Sequence, residues 1–296
     1  MTAPAPAPAE TVWTVGKIID ATTKHLQQKA VGDTPRLDAE ILLGHVRNCK
    51  RIQLYVDYNE PLNDEQRARM RDLVKRRTQA EPVAYLVGRR EFFSLEFKVT
   101  PAVLIPRPET ETLVVDLVTF AKDRPSPSIL ELCTGSGCIA IAAGVNLPAA
   151  RITAVEISPP ALAVAQENAA KHKVTERVTF AEGDLFAPVP AGTLFDAVVS
   201  NPPYVADEEI ESLPPDVRLH EPLLALKGGP RGLVILERII AAAPGFLKPG
   251  GLLLLELSPE QAPHIAARLE SHGEFVDVRI LKDSAGLARV ARALRK

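Results

Sequence analysis

From Glu109 onward, apolar runs of strand length alternate with helical stretches, and that alternation restricts the chain to very few architectures. The runs are 129–133, 152–156, 178–180, 195–200 and 252–257, with helix-like segments such as 161–171 and 233–246 between them. Strands joined through helices pair in parallel, because a parallel return needs a long crossover, and the helices then cover both faces of the sheet. The expected fold class is therefore α/β, around a largely parallel sheet.

Ligands of such sheets bind at the carboxyl ends of the strands. The first run leads straight into Thr134-Gly135-Ser136-Gly137-Cys138-Ile139-Ala140, where glycines permit a tight strand-to-helix turn and close backbone approach by a ligand. Glu156 closes the second run, where a carboxylate can accept from both hydroxyls of a ribose. Asp184-Leu185 follows the third, at the place expected for an adenine edge. This half alone leaves two cofactors open, since Gly135-x-Gly137-x-x-Ala140 with an acidic residue about 20 positions on also fits a dinucleotide site.

The fourth run separates them. It ends in Asn201-Pro202-Pro203-Tyr204. Two prolines remove two backbone donors and fix two φ angles, so the strand stops at a rigid corner carrying an amide, free carbonyl oxygens and an aromatic ring. An Asn-Pro pair alone often marks a plain turn. Beside an adenosyl site, this corner suits a planar –NH2 group: the Asn201 side-chain oxygen and the Pro202 carbonyl accept its two hydrogens and Tyr204 packs on its plane. Hydride transfer has no use for such a clamp, whereas methyl transfer to nitrogen does.

Residues 12–80 read as helical, with Leu37, Ile41, Leu42 and Val46 at three- and four-residue steps. Thr34-Pro35 marks a helix start with Thr34 as cap, and Asn63-Asp64-Glu65 opens a helix carrying Met70, Leu73 and Val74. Its outer face is expected to bear Arg67, Arg69, Arg71, Lys75, Arg76 and Arg77. A solvated helix face accounts for that charge, and a docking surface is the functional alternative. After Glu81-Pro82, Phe93, Leu95, Phe97 and Val99 alternate as in a hairpin, and prolines stiffen residues 100–108. The expected organisation is a disordered Ala/Pro tail over 1–10, a helical recognition domain over 11–82, a hairpin and Pro-rich connector over 83–108, and the sheet domain over 109–296.

With 35 basic and 37 acidic residues the net charge is -2, which gives no global field for phosphate backbones, so direct nucleic-acid binding is not expected. Cys49, Cys133 and Cys138 form neither a paired framework nor a zinc spacing; they suit a reducing compartment, and no metal is expected. No apolar run approaches the ~20 residues that span a bilayer, and residues 1–9 lack the basic and apolar regions of a signal peptide. A cytoplasmic protein without membrane attachment, and a monomer, are expected. Trp13, Cys133 and Cys138 read as packing residues and His220 as a loop-ordering one, while Arg107, Glu109 and Glu111 divide evenly between substrate binding and ion pairing.

Several motifs in order, together with those above, resemble the HemK/PrmC family of class I methyltransferases, and the resemblance covers nearly the whole chain after the tail. They are Glu81-Pro82-Val83-Ala84-Tyr85-Leu86-x-Gly88, Glu91-Phe92, Phe97-x-Val99, Leu104-Ile105-Pro106-Arg107-Pro108-Glu109-Thr110-Glu111, Thr134 to Gly137, Asp184-Leu185-Phe186, Ser200 to Tyr204, Leu219-His220-Glu221-Pro222 and Leu247-Lys248-Pro249-Gly250-Gly251. The chain departs from the family at Cys133, where glycine is common, at Glu156 in place of Asp, and at Ser258, often Gly. The resemblance implies a Rossmann-like S-adenosylmethionine-dependent methyltransferase sheet with a small N-terminal helical domain. It implies N5-methylation of the glutamine in the Gly-Gly-Gln loop of peptide-chain release factors, the protein partners, in support of translation termination. Carried onto this chain, the cofactor-binding residues are Cys133, Thr134, Gly135, Ser136, Gly137, Glu156, Ile157, Asp184, Leu185 and Asn201. Substrate binding falls to Asn201, Pro202, Pro203, Tyr204, Arg107 and Glu109, with Asn201, Pro202 and Tyr204 catalytic. Two alternatives accompany this reading: a ribosomal-protein glutamine methyltransferase, and a nucleic-acid adenine N6-methyltransferase acting on a flipped base.

Overall fold

The computed structural model describes residues 12–296, so the tail expected over 1–10 lies outside the described residues. The chain forms two compact units that divide between Val87 and Gly88.

The first unit is helical: α1 Val15–Gln28, α2 Pro35–Arg47, α3 Arg51–Val56, α4 Asp64–Thr78 and α5 Val83–Val87. Val15, Ile19, Thr22 and Leu26 stack down one face of α1, at the three- and four-residue steps that bring side chains to one side of a helix. They meet Leu42, Leu43, Leu54, Met70 and Leu73 in a single core. Asn63 opens α4 with a reciprocal cap, its side chain accepting from the Gln66 N–H at 2.8 Å while Gln66 accepts from the Asn63 N–H at 3.2 Å. Thr34 stands at the start of α2 as expected, but its hydroxyl donates to Asp38 rather than capping a backbone N–H. One member of the expected basic face is turned inward. Arg77 is 4% exposed and its Nε lies 2.9 Å from Asp38 Oδ2, because a buried guanidinium requires a carboxylate partner. Arg76 pairs with Glu81 at 2.5 Å, which leaves Arg69, Arg71 and Lys75 as the exposed cations of that run.

The second unit opens with an antiparallel hairpin, β1 Arg89–Phe92 and β2 Leu95–Lys98, and continues through α6 Glu111–Ala121, β3 Ser128–Leu132, α7 Cys138–Asn146, β4 Arg151–Glu156, α8 Pro159–Lys171, β5 Val178–Glu182 and β6 Phe195–Ser200. After β6 come α9 Pro215–His220, α10 Val234–Ala242, β7 Leu247–Glu256, α11 Ala262–Ser271, β8 Phe275–Lys282 and β9 Ala288–Arg295. Among the described residues the main sheet has seven strands in the order β5-β4-β3-β6-β7-β9-β8. The first five run parallel, and β9 and β8 join antiparallel at one edge. Central strands covered on both faces read as unbroken apolar runs, and β6 is buried at all six positions. One core lies on each side of the sheet, the first built with α6 and α7, the second with α10 and α11.

Sequence order reverses between β3 and β6, so the loops after them diverge and leave a crevice at their carboxyl ends. No helix among the described residues is long and apolar enough to cross a membrane.

Candidate active site

At the end of β3 the backbone turns sharply. Cys133 takes φ +59°, the left-handed region that glycine occupies without strain, at the position where the resemblance leads one to expect glycine. Gly137 has φ +81°, and a Cβ there would meet Ile141 Cδ1 at 2.9 Å and Ala165 Cβ at 3.2 Å, so conformation and packing both demand glycine. Glu131, fully buried in β3, holds the turn from beneath: its Oε2 accepts from the Thr134 hydroxyl at 2.5 Å and from the Ala140 N–H at 3.1 Å. Asn168 of α8 clamps it from the side, donating to the Ser136 carbonyl at 2.9 Å and exchanging bonds with the Lys98 backbone at 2.7 and 3.0 Å.

At the end of β4 the Glu156 carboxylate ties two loops together, accepting from the Gly135 N–H at 2.8 Å and the Ser158 N–H at 2.9 Å. Glu156, Ile157, Cys133 and Gly135 line a cleft of about 810 Å³, open solvent at its mouth included. A Cβ on Gly135 would meet nothing within 4 Å, so the turn backbone is open to a ligand. Burial and the neighbouring Glu156 carboxylate push the Cys133 thiol up to about 12, which keeps it a neutral, apolar wall at neutral pH.

The same cleft is lined at its other end by Asn201, Pro203 and Thr110. The Ser200 hydroxyl donates to the Leu132 carbonyl at 2.8 Å and pins the end of β6 to the end of β3. Asn201 Nδ2 lies 3.2 Å from Thr110 Oγ1. Beyond the prolines, Gln261 fastens the chain by donating to the carbonyls of Tyr204 at 2.8 Å, Arg231 at 3.0 Å and Gly232 at 3.1 Å. The Tyr204 hydroxyl turns inward, onto Glu256 Oε1 at 3.2 Å. Burial and the Glu256 charge raise the phenol well above its ordinary pKa, and burial lifts the Glu256 carboxyl to about 7. The remaining wall is braced by an ion pair: Arg107 Nη2 meets Glu221 Oε1 at 2.5 Å, joining the Pro-rich segment to the segment that carries Pro222, Leu224 and Ala225.

An elongated, mostly apolar cleft with one carboxylate at a ribose position, an open glycine turn and an amide at the far end has the donor set an adenosyl ligand needs. Two matched segments agree with this division, a PrmC N-terminal domain over residues 17–88 and a Methyltransferase small domain over 110–213. The release factor glutamine methyltransferase of Rhodopirellula baltica is 42% identical over 285 residues, covering 95% of this chain and 96% of its own. The chain belongs to the release factor glutamine methyltransferase family. The family members of Geobacter sulfurreducens and Chlorobaculum tepidum are 42% and 40% identical and likewise span 94% and 95% of the chain and 96% and 97% of their own. The fold is shared more widely: a methyltransferase crystal structure from Pyrococcus furiosus superposes with TM-score 0.52 at 21% identity, over 69% of this chain and 90% of that one.

Of the residues singled out in the sequence, Cys133, Thr134, Gly135, Ser136, Glu156, Ile157, Asn201, Pro203 and Arg107 line the one cleft. Gly137 and the buried Pro202 shape it from behind. Tyr204 points to Glu256, Leu185 is 7% exposed in the core, and Asp184 pairs with Arg238 at 2.6 Å, all outside the lining. Glu109 is half-buried beside Glu256, and Glu111 accepts from the Phe93 N–H at 2.9 Å in the hairpin turn. Four residues of the site were missed: Thr110, Glu131, Asn168 and Glu256. A carboxylate inside an apolar strand, as in Glu131 and Glu256, was the available signal.

Burial raises the Glu131 carboxyl to about 8, against an ordinary 4.5. A folded-state pKa above the unfolded one means the native protein holds a proton that the unfolded chain has released, so stability falls as pH climbs from about 4.5 to about 8. Glu131→Gln removes that titration. Denaturant melts at pH 6 and pH 9 are expected to show a smaller loss of stability for the variant than for the wild type. An equal loss in both would mean that Glu131 is charged throughout.

Proposed function

We propose that this chain transfers the methyl group of S-adenosylmethionine to the side-chain amide nitrogen of a release-factor glutamine, within the Gly-Gly-Gln loop. The observation that carries the reading is the sharing of one cleft by the Glu156 carboxylate and the Asn201 amide, at the two strand ends that flank the topological switch. In the proposed site Glu156 holds the ribose, the Cys133–Gly137 turn admits the amino-acid portion of the donor, and Ile157 packs on the adenine. Bound there, S-adenosylmethionine supplies a methyl group made electrophilic by its sulfonium, and S-adenosylhomocysteine is left.

The residues have a positioning task. An amide nitrogen is a poor nucleophile because its lone pair is delocalised into the carbonyl. Asn201 Oδ1 and the Pro202 carbonyl accept the two amide hydrogens, hold the nitrogen in line and favour its pyramidal form. Two prolines keep the corner stiff, so little order is lost when the glutamine enters. Tyr204 is assigned a supporting role, through its hydroxyl contact with Glu256, in place of packing on the amide plane. Arg107 braces the cleft wall through Glu221. The helical unit is assigned recognition of the release factor, in a cytoplasmic monomer.

Incubation with labelled S-adenosylmethionine and a release factor tests this directly. Label is expected on the intact factor and on none whose loop glutamine is replaced by alanine. Equal labelling of the two factors would sink the reading, and label on duplex DNA alone would favour adenine chemistry on the same corner.

A further inference from the structure

We infer that Thr110 is a positioning residue for Asn201: its hydroxyl accepts from Asn201 Nδ2 and gives its own hydrogen to the Glu256 carboxylate, so that Asn201 presents its oxygen to the cleft. The inference rests on the Asn201 role proposed above and adds a reason for the direction in which that amide points. The two ends of an asparagine amide are nearly identical in shape, and hydrogen bonds alone decide which end faces a ligand. A threonine hydroxyl does not decide, because it donates and accepts with equal ease.

A carboxylate behind the hydroxyl removes the ambiguity. Glu256 ends β7 with no exposure to solvent, and it offers acceptors only while ionised. Its Oε1 receives the Tyr204 hydroxyl at 3.2 Å, and the Thr110 hydroxyl also faces the carboxylate and favours its ionised form. Thr110 itself is 1% exposed, so no water competes for its hydrogen. With that hydrogen directed at Glu256, only lone pairs remain toward Asn201, 3.2 Å away, and the amide must bring its N–H end to them. The cleft then meets an oxygen. An incoming –NH2 group finds an acceptor there, while a carboxylate in its place would meet a second oxygen and be repelled. The relay therefore selects glutamine over glutamate as well as aiming the nitrogen. It gives the Pro-Arg-Pro-Glu-Thr-Glu segment a chemical task, since the turn Pro108–Thr110 carries this hydroxyl to the end of β6.

The test uses the full chain, a release factor and labelled S-adenosylmethionine. Thr110→Val keeps the shape and deletes the hydroxyl; kcat is expected to fall about tenfold or more, because one misdirected polar group at a reacting centre has effects of that order. KM for the release factor and calorimetric affinity for S-adenosylmethionine are expected to stay within about threefold of wild type, because neither binding surface is touched. Thr110→Ser restores the hydroxyl and is expected to recover most of kcat. Should the valine variant not fold, Thr110→Ala carries the same comparison. Wild-type kcat in Thr110→Val alongside an inactive Asn201→Ala overturns the relay and leaves the Asn201 reading standing. A serine variant as slow as the valine one also overturns it, because packing would then be the cause. An active Asn201→Ala overturns the reading beneath, and the relay with it.

Discussion

Asn201→Ala is expected to lower kcat by about two to three orders of magnitude while leaving the affinity for S-adenosylmethionine nearly unchanged. The size follows from what the side chain is asked to do. It supplies one of two acceptors that hold the amide nitrogen in line, and nothing else in the cleft lies where its oxygen would act. Alanine cannot accept a hydrogen bond, and a water that replaced the oxygen would be free to reorient during the reaction. The corner itself should survive, since Ser200 still bonds the Leu132 carbonyl and Gln261 still bonds the Tyr204 carbonyl. Thermal melts are therefore expected to stay close to wild type, separating a catalytic loss from an unfolded one. Single-turnover rates with saturating donor measure the effect, and a rate near wild type would disprove the clamp.

Glu156→Ala is expected to act on the other half of the reaction. A carboxylate bonded to ribose hydroxyls is worth about 1.5–3 kcal/mol per charge-assisted bond, so its removal should weaken donor binding by roughly 10- to 150-fold. The loss has a second source. Glu156 also holds the Gly135 and Ser158 backbones, and without it both loops at the mouth of the donor pocket lose their common anchor. Calorimetric titration with S-adenosylhomocysteine reads the change without turnover. At saturating donor the variant should regain much of its kcat, the opposite of Asn201→Ala. Unchanged affinity would remove Glu156 from the site.

The elements whose evidence is local were legible in the residues. Alternating runs predict β3, β4, β5, β6 and β7 because each is a short apolar segment between polar or glycine-rich turns. The two ends of the cleft were legible for the same reason, since a strand end and the loop after it are continuous in sequence. The edge pair β8 and β9 was not foreseen. Its register shifts between Val276 and Arg279, and Asp277 takes φ +52°, so the period-two pattern that marks a strand breaks in the middle. Tyr204 illustrates a different limit. Its neighbours Asn201 and Pro203 line the cleft, yet its ring leaves for Glu256, 52 positions away.

The amino-acid order alone determined the kind of sheet, the place of the ligand along it and the presence of an amide-gripping corner, because periodicity and proline stereochemistry act between near neighbours. Only the tertiary structure decided which way that amide faces and which carboxylates lie without water. Asn201 meets Thr110 across 91 positions of chain, and Glu256 joins them from a third element. Hydrogen-bond polarity and burial belong to groups brought together by the closed fold, and no spacing in the chain encodes them.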